Sequence, residues 1–320
     1  MSSGLKSKIK NIRFFVSLYR FMYRLTATVY WSFEFCFNKL FKKEHIYANC
    51  FVFTSPFGKT KKNNWGDDIN DFFFNSIISR KIRFVPFDKL LSSPKVTRYS
   101  LIGSIIGNFD LNNTIVYGSG SITSSPEITG TPVKVLSVRG PLTREIFIRH
   151  GIDCPEVYGD PALLLSRFYV PQIEKTDTIG IIPHYRTLES NWMDNKWYPE
   201  LCSKNNVKII DMSKYDKWTD IIDSICSCKY IISESLHGLI VAESYSIPSI
   251  WVEIQKHDMP WEWDFKYRDF YSSINKSNEQ CLNLYEADNA SEIDELLGNW
   301  HPGDIDYASM LEAFPFEIKK

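Results

Sequence analysis

The chain has 320 residues, 44% of them hydrophobic and 23% charged, with 37 Lys and Arg against 38 Asp and Glu and a formal net charge of −1. That length suits two domains of ordinary size, and a composition so near the soluble average excludes a disordered chain and a multispanning membrane protein. The balanced charge excludes a nucleic-acid binder that works by whole-molecule attraction.

Residues 5–43, LKSKIKNIRFFVSLYRFMYRLTATVYWSFEFCFNKLFKK, carry nine Lys or Arg against one acid, Glu34, and are dense in aromatic side chains. Arg13, Arg20, Arg24 and Glu34 interrupt the segment, so no window reaches the roughly 20 apolar residues that a membrane span needs. Nor does an unbroken apolar stretch end in small residues, so a cleavable secretion signal is not expected. The pattern predicts a basic, aromatic helical extension over 1–45. Two readings stand for it: a helix lying in the headgroup region of an anionic membrane, or a helix packed on the protein's own surface or used in self-association.

From residue 46 short β-branched and aromatic runs alternate with amphipathic stretches. Strands are predicted at 46–56, 80–87, 113–121 and 134–140. The stretch 67–79 opens with two acids, which favour a helix amino terminus, and 141–151 has Pro early and Gly last, as helix punctuation requires. After a polar linker at 171–178 the alternation resumes, with strands predicted at 179–185, 206–212, 229–235 and 248–253 and a helix at 218–228. Helices at 290–300 and 307–316 close the chain, one of them crossing back to the first domain. Such alternation implies parallel sheets. The expected fold is α/β, with two doubly wound Rossmann-like domains facing a cleft. They are an N-terminal domain over 46–170 and a C-terminal domain over 176–290, followed by a helical tail over 291–320.

The cysteines, Cys36, Cys50, Cys154, Cys202, Cys226, Cys228 and Cys281, are odd in number and scattered. Cys226 and Cys228 lack the second pair that a zinc site needs. They are expected to be reduced and mostly buried, as in a cytoplasmic chain, and no metal site is expected.

Four loops each follow a predicted strand, and ligands of open parallel sheets collect outside the carboxyl ends of strands. They are NNWGDDIN (63–70), YGSGSITSS (117–125), SVRGPLTRE (137–145) and SESLHG (233–238). Gly118-Ser119-Gly120 lacks the spacing of a dinucleotide fingerprint and reads either as a turn or as a ligand contact. Arg139 can grip a carboxylate or phosphate with two parallel hydrogen bonds, or form a structural salt bridge. Asp67 and Asp68 either bind acceptor hydroxyls or support the helix that follows. In SESLHG, Ser233 or Ser235 can cap a helix whose amide groups favour an anion, with His237 in the first turn. A histidine beside a bound anion keeps its proton, which suits a general acid. A helix-start histidine can equally be structural.

Taken together, NWGDDIN, YGSGS, SVRGPLTRE, YGDPALLL (158–165) and above all SESLHGLIVAESYSIP (233–248) resemble the polysaccharide pyruvyl transferase family. GIIPHY (180–185) and DFKYRDFYSS (264–273) look like elements of its exopolysaccharide-synthesis branch. The resemblance covers roughly 50–275. It implies a fold like that of GT-B glycosyltransferases and transfer of an enolpyruvyl-derived group from phosphoenolpyruvate to a sugar of a bacterial-type surface polysaccharide or exopolysaccharide, as a pyruvate ketal. It assigns His237 as general acid and Arg139 to donor binding, with Ser235, Leu236 and Gly238 forming the helix start around the donor. Many members resemble one another in carrying Arg immediately before Leu-His-Gly, where this chain has Ser235. Lys266, Arg268, Arg144 and His184 are the candidates to supply the missing cation. No cofactor is implied, since phosphoenolpyruvate is a co-substrate and the chemistry needs no metal.

Expected partners are therefore the donor and a glycan acceptor, lipid-linked or not, without nucleic acid. The expected place is the cytoplasm, peripheral at the inner face of the cell membrane if the extension binds lipid. Trp192, Trp261 and Trp263 are candidates to stack on sugar faces, or are simply packed. Two rival readings remain. One is a GT-B-type glycosyltransferase holding a nucleotide sugar through Glu253. The other is a catalytically silent glycan-binding relative, with Ser235 as the sign of decay.

Overall fold

The computed structural model describes residues 3–41, 45–84, 96–256, 262–287 and 290–319, with side chains from residue 14 onward. Its first half holds β1 (Ile46–Asn49), β2 (Ile82–Phe84), β3 (Arg98–Ser100), β4 (Ser104–Ile106), β5 (Thr114–Tyr117), β6 (Gly120–Ser121) and β7 (Lys134–Ser137). Its helices are α1 (Ser3–Leu40), α2 (Trp65–Ile77), α3 (Pro141–Arg149) and the single turn α4 (Leu165–Phe168). The second half holds β8 (Thr178–Ile182), β9 (Asn206–Ile209), β10 (Tyr230–Ser233), β11 (Ser249–Glu253) and β12 (Leu282–Asn283). Around them lie α5 (Trp197–Lys204), α6 (Thr219–Cys226), α7 (Leu236–Ser244), α8 (Phe265–Ser273), α9 (Ser291–Gly298) and α10 (Tyr307–Glu312).

Two five-stranded sheets run in the orders β2-β1-β3-β5-β7 and β12-β11-β10-β8-β9, with every pairing parallel. Numbered within its own half, each sheet has the same order, 2-1-3-4-5. In that order the chain leaves the first strand toward one edge and then returns past it toward the other. The switch points lie between β1 and β3, and between β8 and β10. This bears out the parallel α/β class.

Strands are shorter than the apolar runs suggested. The run at 46–56 pairs only over Ile46–Asn49, with an isolated bridge at Thr54. The run at 113–121 breaks at Gly118 (φ 76°), where a side chain would meet the Pro161 ring, and its far end becomes β6, paired with β4. Of the run at 80–87, residues 85–87 lie outside the described residues. The central strand β3, RYS, was not anticipated.

The carboxyl tail does cross back. Tyr117 donates to the carbonyl of Met310 (2.8 Å), Phe314 and Phe316 pack on Phe74, Tyr99 and Tyr117, and Lys319 N–H bonds to Ile77 O (2.7 Å). The extension is attached as well. Ala27, Trp31, Glu34 and Asn38 of α1 are buried, spaced three or four residues apart as one helix face requires. Glu34 pairs with Arg83 (2.6 Å), and Tyr23 donates to Thr54 O (2.7 Å).

A buried ion pair ties the halves together. Arg139, at the end of β7, is fully buried and meets Asp269 of α8 through Nε and Nη2, both at 3.0 Å from Oδ2. The same carboxylate accepts from Thr143 N (2.9 Å) and Thr143 Oγ1 (2.7 Å). It therefore caps α3, whose own cap position, Gly140, has no side chain. A Cβ on Gly140 would stand 1.9 Å from Asp269 O, so α8 could not approach an alanine there. Removing one partner of a buried pair strands the other's charge, at a cost of roughly 3–5 kcal/mol. Asp269→Ala should lose about that much in chemical denaturation; a loss below about 1 kcal/mol would show that the pair contributes little.

Candidate functional site

The loops after β1 and β3, and those after β8 and β10, converge on one cavity of about 360 Å³. Both switch points thus face the same space, the position at which doubly wound sheets bind ligands. From the first half come Asn63, Asn64 and Asp67 at the start of α2, and Ser104 after β3. From the second come His184 and Arg186 after β8, then Ser235, Leu236 and His237 at the start of α7. Lys266 of α8 completes the wall.

Local sequence explains how each helix start is held. Asn64 caps α2, its Oδ1 accepting from Gly66 N (3.3 Å), while its Nδ2 donates to Asp67 Oδ2 (2.8 Å). Ser235 caps α7, accepting from Gly238 N (3.4 Å), and the turn before it is closed by Ser233 Oγ, which accepts from Ser235 N (3.0 Å) and donates to Ser235 O (2.9 Å). The two helix starts touch: a Cβ on Gly66 would lie 2.1 Å from His237 Nδ1. Glycine at 66 is what lets the imidazole lie flat against the first turn of α2. Two amino-terminal dipole ends therefore point at one place, which favours an anion there.

The charges fit that reading. Lys266 has no ion-pair partner among the described residues, and its ammonium stands 4.9 Å from the centre of the Tyr267 ring. Burial, then the neighbouring Arg139, bring its pKa down to about 8. His237 Nε2 is buried without a hydrogen-bond partner among the described residues. Burial, Lys266 and Arg139 hold its pKa down at about 3. Burial pushes the Asp67 carboxyl up to about 7 against the pull of the Asn64 amide, with Asp68 raising it further and Lys266 drawing it back. Perturbed groups crowded around one cavity are the electrostatic mark of a functional site.

His237, Ser235, Leu236, Lys266, His184 and Asp67 thus come together at the cavity wall, and other sequence candidates do not. Arg268 is exposed and pairs with Asp264 of its own helix (2.9 Å), away from the lining. Arg144 bonds to Cys154 O (3.0 Å) and pairs with Glu156 (3.2 Å). Arg139 stands behind the wall, with Nη1 donating to Ser104 Oγ (2.6 Å) and Nη2 to Ser121 O (2.5 Å). The glycine-rich loop serves that arginine: a Cβ on Gly120 would meet its guanidinium at 2.3 Å, and the buried Ser119 hydroxyl donates to Leu101 O. Asp68 is buried and accepts from the amides of Asn63 (2.7 Å) and Asn64 (3.2 Å) and from Tyr215 OH (2.8 Å). Gly238 lies one residue behind the wall, where a side chain would strike Ser233 Oγ. Trp192 is packed against Trp197, Trp263 against Trp251 and Tyr267, and Trp261 lies outside the described residues.

Sequence reasoning passed over Glu234, inside the quoted SESLHG. It is 3% exposed and accepts from the amides of His184 (2.9 Å), Ile254 (2.5 Å) and Gln255 (3.2 Å), while its carbonyl takes the Tyr267 hydroxyl (2.5 Å). One carboxylate thereby fixes the loops after β8 and β11 relative to His237. An acid at the end of an apolar strand, before a helix cap, was the available signal.

Fold and site together define a doubly wound α/β protein with an anion-receptive cavity at paired switch points. The chain belongs to the polysaccharide pyruvyl transferase family, whose model matches residues 35–256. It is similar to the uncharacterized protein L143 of Acanthamoeba polyphaga mimivirus, 27% identical over 74% of this chain and 77% of that protein. It is also similar to the succinoglycan biosynthesis protein ExoV of Rhizobium meliloti (strain 1021), 23% identical over 68% of this chain and 63% of that protein. No solved structure matches.

The raised Asp67 pKa has a thermodynamic sign. Between its ordinary value of 3.8 and about 7 the folded chain holds a proton that the unfolded chain has released, so this residue's contribution to stability falls as pH rises through that window. Asp67→Asn removes the penalty. Its melting temperature should exceed that of the parent by a margin that grows from pH 4 to pH 7 and then levels; a margin independent of pH would contradict the burial of this carboxylate.

Proposed function

We propose that the cavity binds phosphoenolpyruvate and transfers its pyruvyl carbon skeleton to two hydroxyls of a sugar, as a ketal, in exopolysaccharide or surface-polysaccharide synthesis. Membership of the family and similarity to a succinoglycan biosynthesis protein support pyruvyl transfer on such glycans as the general activity. The observation that carries the donor assignment is the placing of His237 between two helix amino termini and Lys266. The two sheets would act as the two facing domains of a GT-B-like enzyme.

The first step protonates the methylene carbon of the donor while an acceptor hydroxyl attacks C2. The second expels phosphate with the C–O electron pair as a second hydroxyl closes the ketal. Of the two hydroxyl protons, one replaces that consumed at carbon and the other leaves on phosphate, so charge and atoms balance without a redox partner. His237 supplies the first proton. Its imidazole is neutral among the cations of the site, and a trianionic donor reverses that local field, so the proton arrives with the donor. Asp67, at about 7, has the affinity that suits a base for the acceptor hydroxyl at neutral pH. Lys266 and the α7 amides take the phosphate as charge builds on it. With Ser235 committed to capping α7, Lys266 is the cation that stands in for arginine. Arg139 acts on the donor through Ser104, which it holds in the wall.

Glu253, which a nucleotide-sugar enzyme would use for ribose, borders a small space of about 50 Å³ that adjoins the cavity and shares His184, Arg186 and Lys266 with it, room for a few waters. Ser235 caps α7, which gives its presence a reason other than decay.

The deciding experiment supplies the purified chain with phosphoenolpyruvate and glycan from a host strain lacking this gene. Phosphate release that requires both substrates, with pyruvate appearing on the glycan, is expected. Consumption of a nucleotide sugar instead would favour the glycosyltransferase, and binding without turnover the silent relative. His237→Gln should lower kcat at least about a hundredfold while leaving donor affinity within a few-fold. It should also abolish the proton uptake on donor binding that calorimetry in buffers of different ionisation enthalpy detects in the parent. Lys266→Ala should weaken donor binding roughly ten- to a hundredfold; unchanged donor affinity would remove it from the site.

A further inference from the structure

The face of α1 turned away from the body is itself apolar. Leu18, Met22, Leu25, Val29, Phe33 and Leu40, spaced mostly three or four residues apart, are 38–76% exposed. With about 3.6 residues per turn they form one stripe opposite the buried face of Ala27, Trp31, Glu34 and Asn38. Phe14 and Phe15 extend the stripe, at 63% and 66% exposed. The body continues it through Phe57, which is exposed and meets the Tyr30 ring edge-on at 5.5 Å. At about 1.5 Å per residue the stripe from Phe14 to Leu40 runs about 40 Å along the helix. Among the described residues no helix is long and apolar enough to cross a membrane.

Charge decides what covers the stripe. Residues 5–43 carry nine Lys or Arg and one acid, and that acid, Glu34, is already spent on Arg83 within the chain. A second copy laid on the stripe would bring two strongly basic segments together, each with nine Lys or Arg and one acid. A layer of phosphate-bearing lipid headgroups supplies the missing negative charge, and its acyl boundary takes the aromatic stripe. We propose that α1 lies along an anionic lipid surface, stripe inward, and holds the chain there with its body attached through the opposite face. The loop after β1 carries Phe57 and also Asn63 and Asn64 of the cavity wall, so lipid contact and candidate site share one connection. This proposal stands on the helix and its charge alone and does not depend on the reaction assigned to the cavity.

The test is co-sedimentation of the full chain with vesicles of phosphatidylcholine, or of phosphatidylcholine with about one-third phosphatidylglycerol. Binding should be confined largely to the anionic vesicles and fall at least about tenfold when salt is raised from roughly 0.05 to 0.5 M. The variant Phe14→Ser, Phe15→Ser, Leu18→Ser, Met22→Ser alters only exposed positions beyond the attached part of α1. It should keep the parent's melting temperature and lose at least about tenfold in vesicle affinity. Equal binding to both vesicle types, or unchanged binding by the variant, would overturn the proposal. So would a lipid-free dimer that the same substitutions dissolve, which would make the stripe a contact between copies.

Discussion

The Arg139–Asp269 pair is the contact on which the rest of the site geometry depends. Arg139 follows the last strand of the first sheet, and Asp269 sits in α8, between β11 and β12 of the second. Their contact fixes α8, and α8 carries Lys266 into the cavity wall and Tyr267 onto the carbonyl of Glu234. Glu234 in turn holds the loop that bears His184. A buried ion pair is seldom a net source of stability, because taking both charges from water costs several kcal/mol each. What this one supplies is register, since the guanidinium is also bound at Ser104 and Ser121 and the carboxylate at Thr143. No single partner can slide without breaking several charge-assisted bonds.

That network explains the SVRGPLT element residue by residue. Arg139 provides the cation, Gly140 allows the backbone of α8 to come within contact, Pro141 opens α3 without wasting an amide, and Thr143 receives the cap from across the interface. The sequence showed an arginine at a strand end, from which anion binding and a salt bridge could both be read. Both readings put charge at the right loop. Only the fold could show that the nearest carboxylate, 130 residues on, fills the fork. Distant pairing leaves no local pattern, and that is why Asp269 and Glu234 went unremarked inside motifs that were themselves recognised.

Other elements divide in the same physical way. Strands with β-branched runs, such as TIGII and SIWVE, and helices with clear caps were legible because local periodicity reports burial on one or both faces. The strand β3 was not, since Arg98-Tyr99-Ser100 has no apolar run. It is held in the sheet by neighbours on both sides, β1 and β5, a tertiary effect that overrides weak propensity. The helix α8 was not read as an element, because DFKYRDFYSS mixes polar residues with the aromatics Phe265, Tyr267, Phe270 and Tyr271, all of which are buried.

The site keeps a titratable set that the fold alone would not choose. Lys266 and Arg139 lie near a neutral histidine, and a carboxyl with its pKa raised stands across from them. Burial disfavours the charged form of Lys266, His237 and Asp67 alike, which costs stability in the absence of a partner. An anion placed among them would relieve the repulsion between the cations, restore the proton affinity of His237 and lower the cost of burying Lys266, all through one set of contacts. Binding and activation are then the same event. In the proposed reaction the donor's charge, rather than a change of shape, would turn the neutral imidazole into an acid. On that proposal a neutral sugar entering first would find His237 unable to deliver a proton, so the electrostatics of the cavity would also bear on the order in which substrates react.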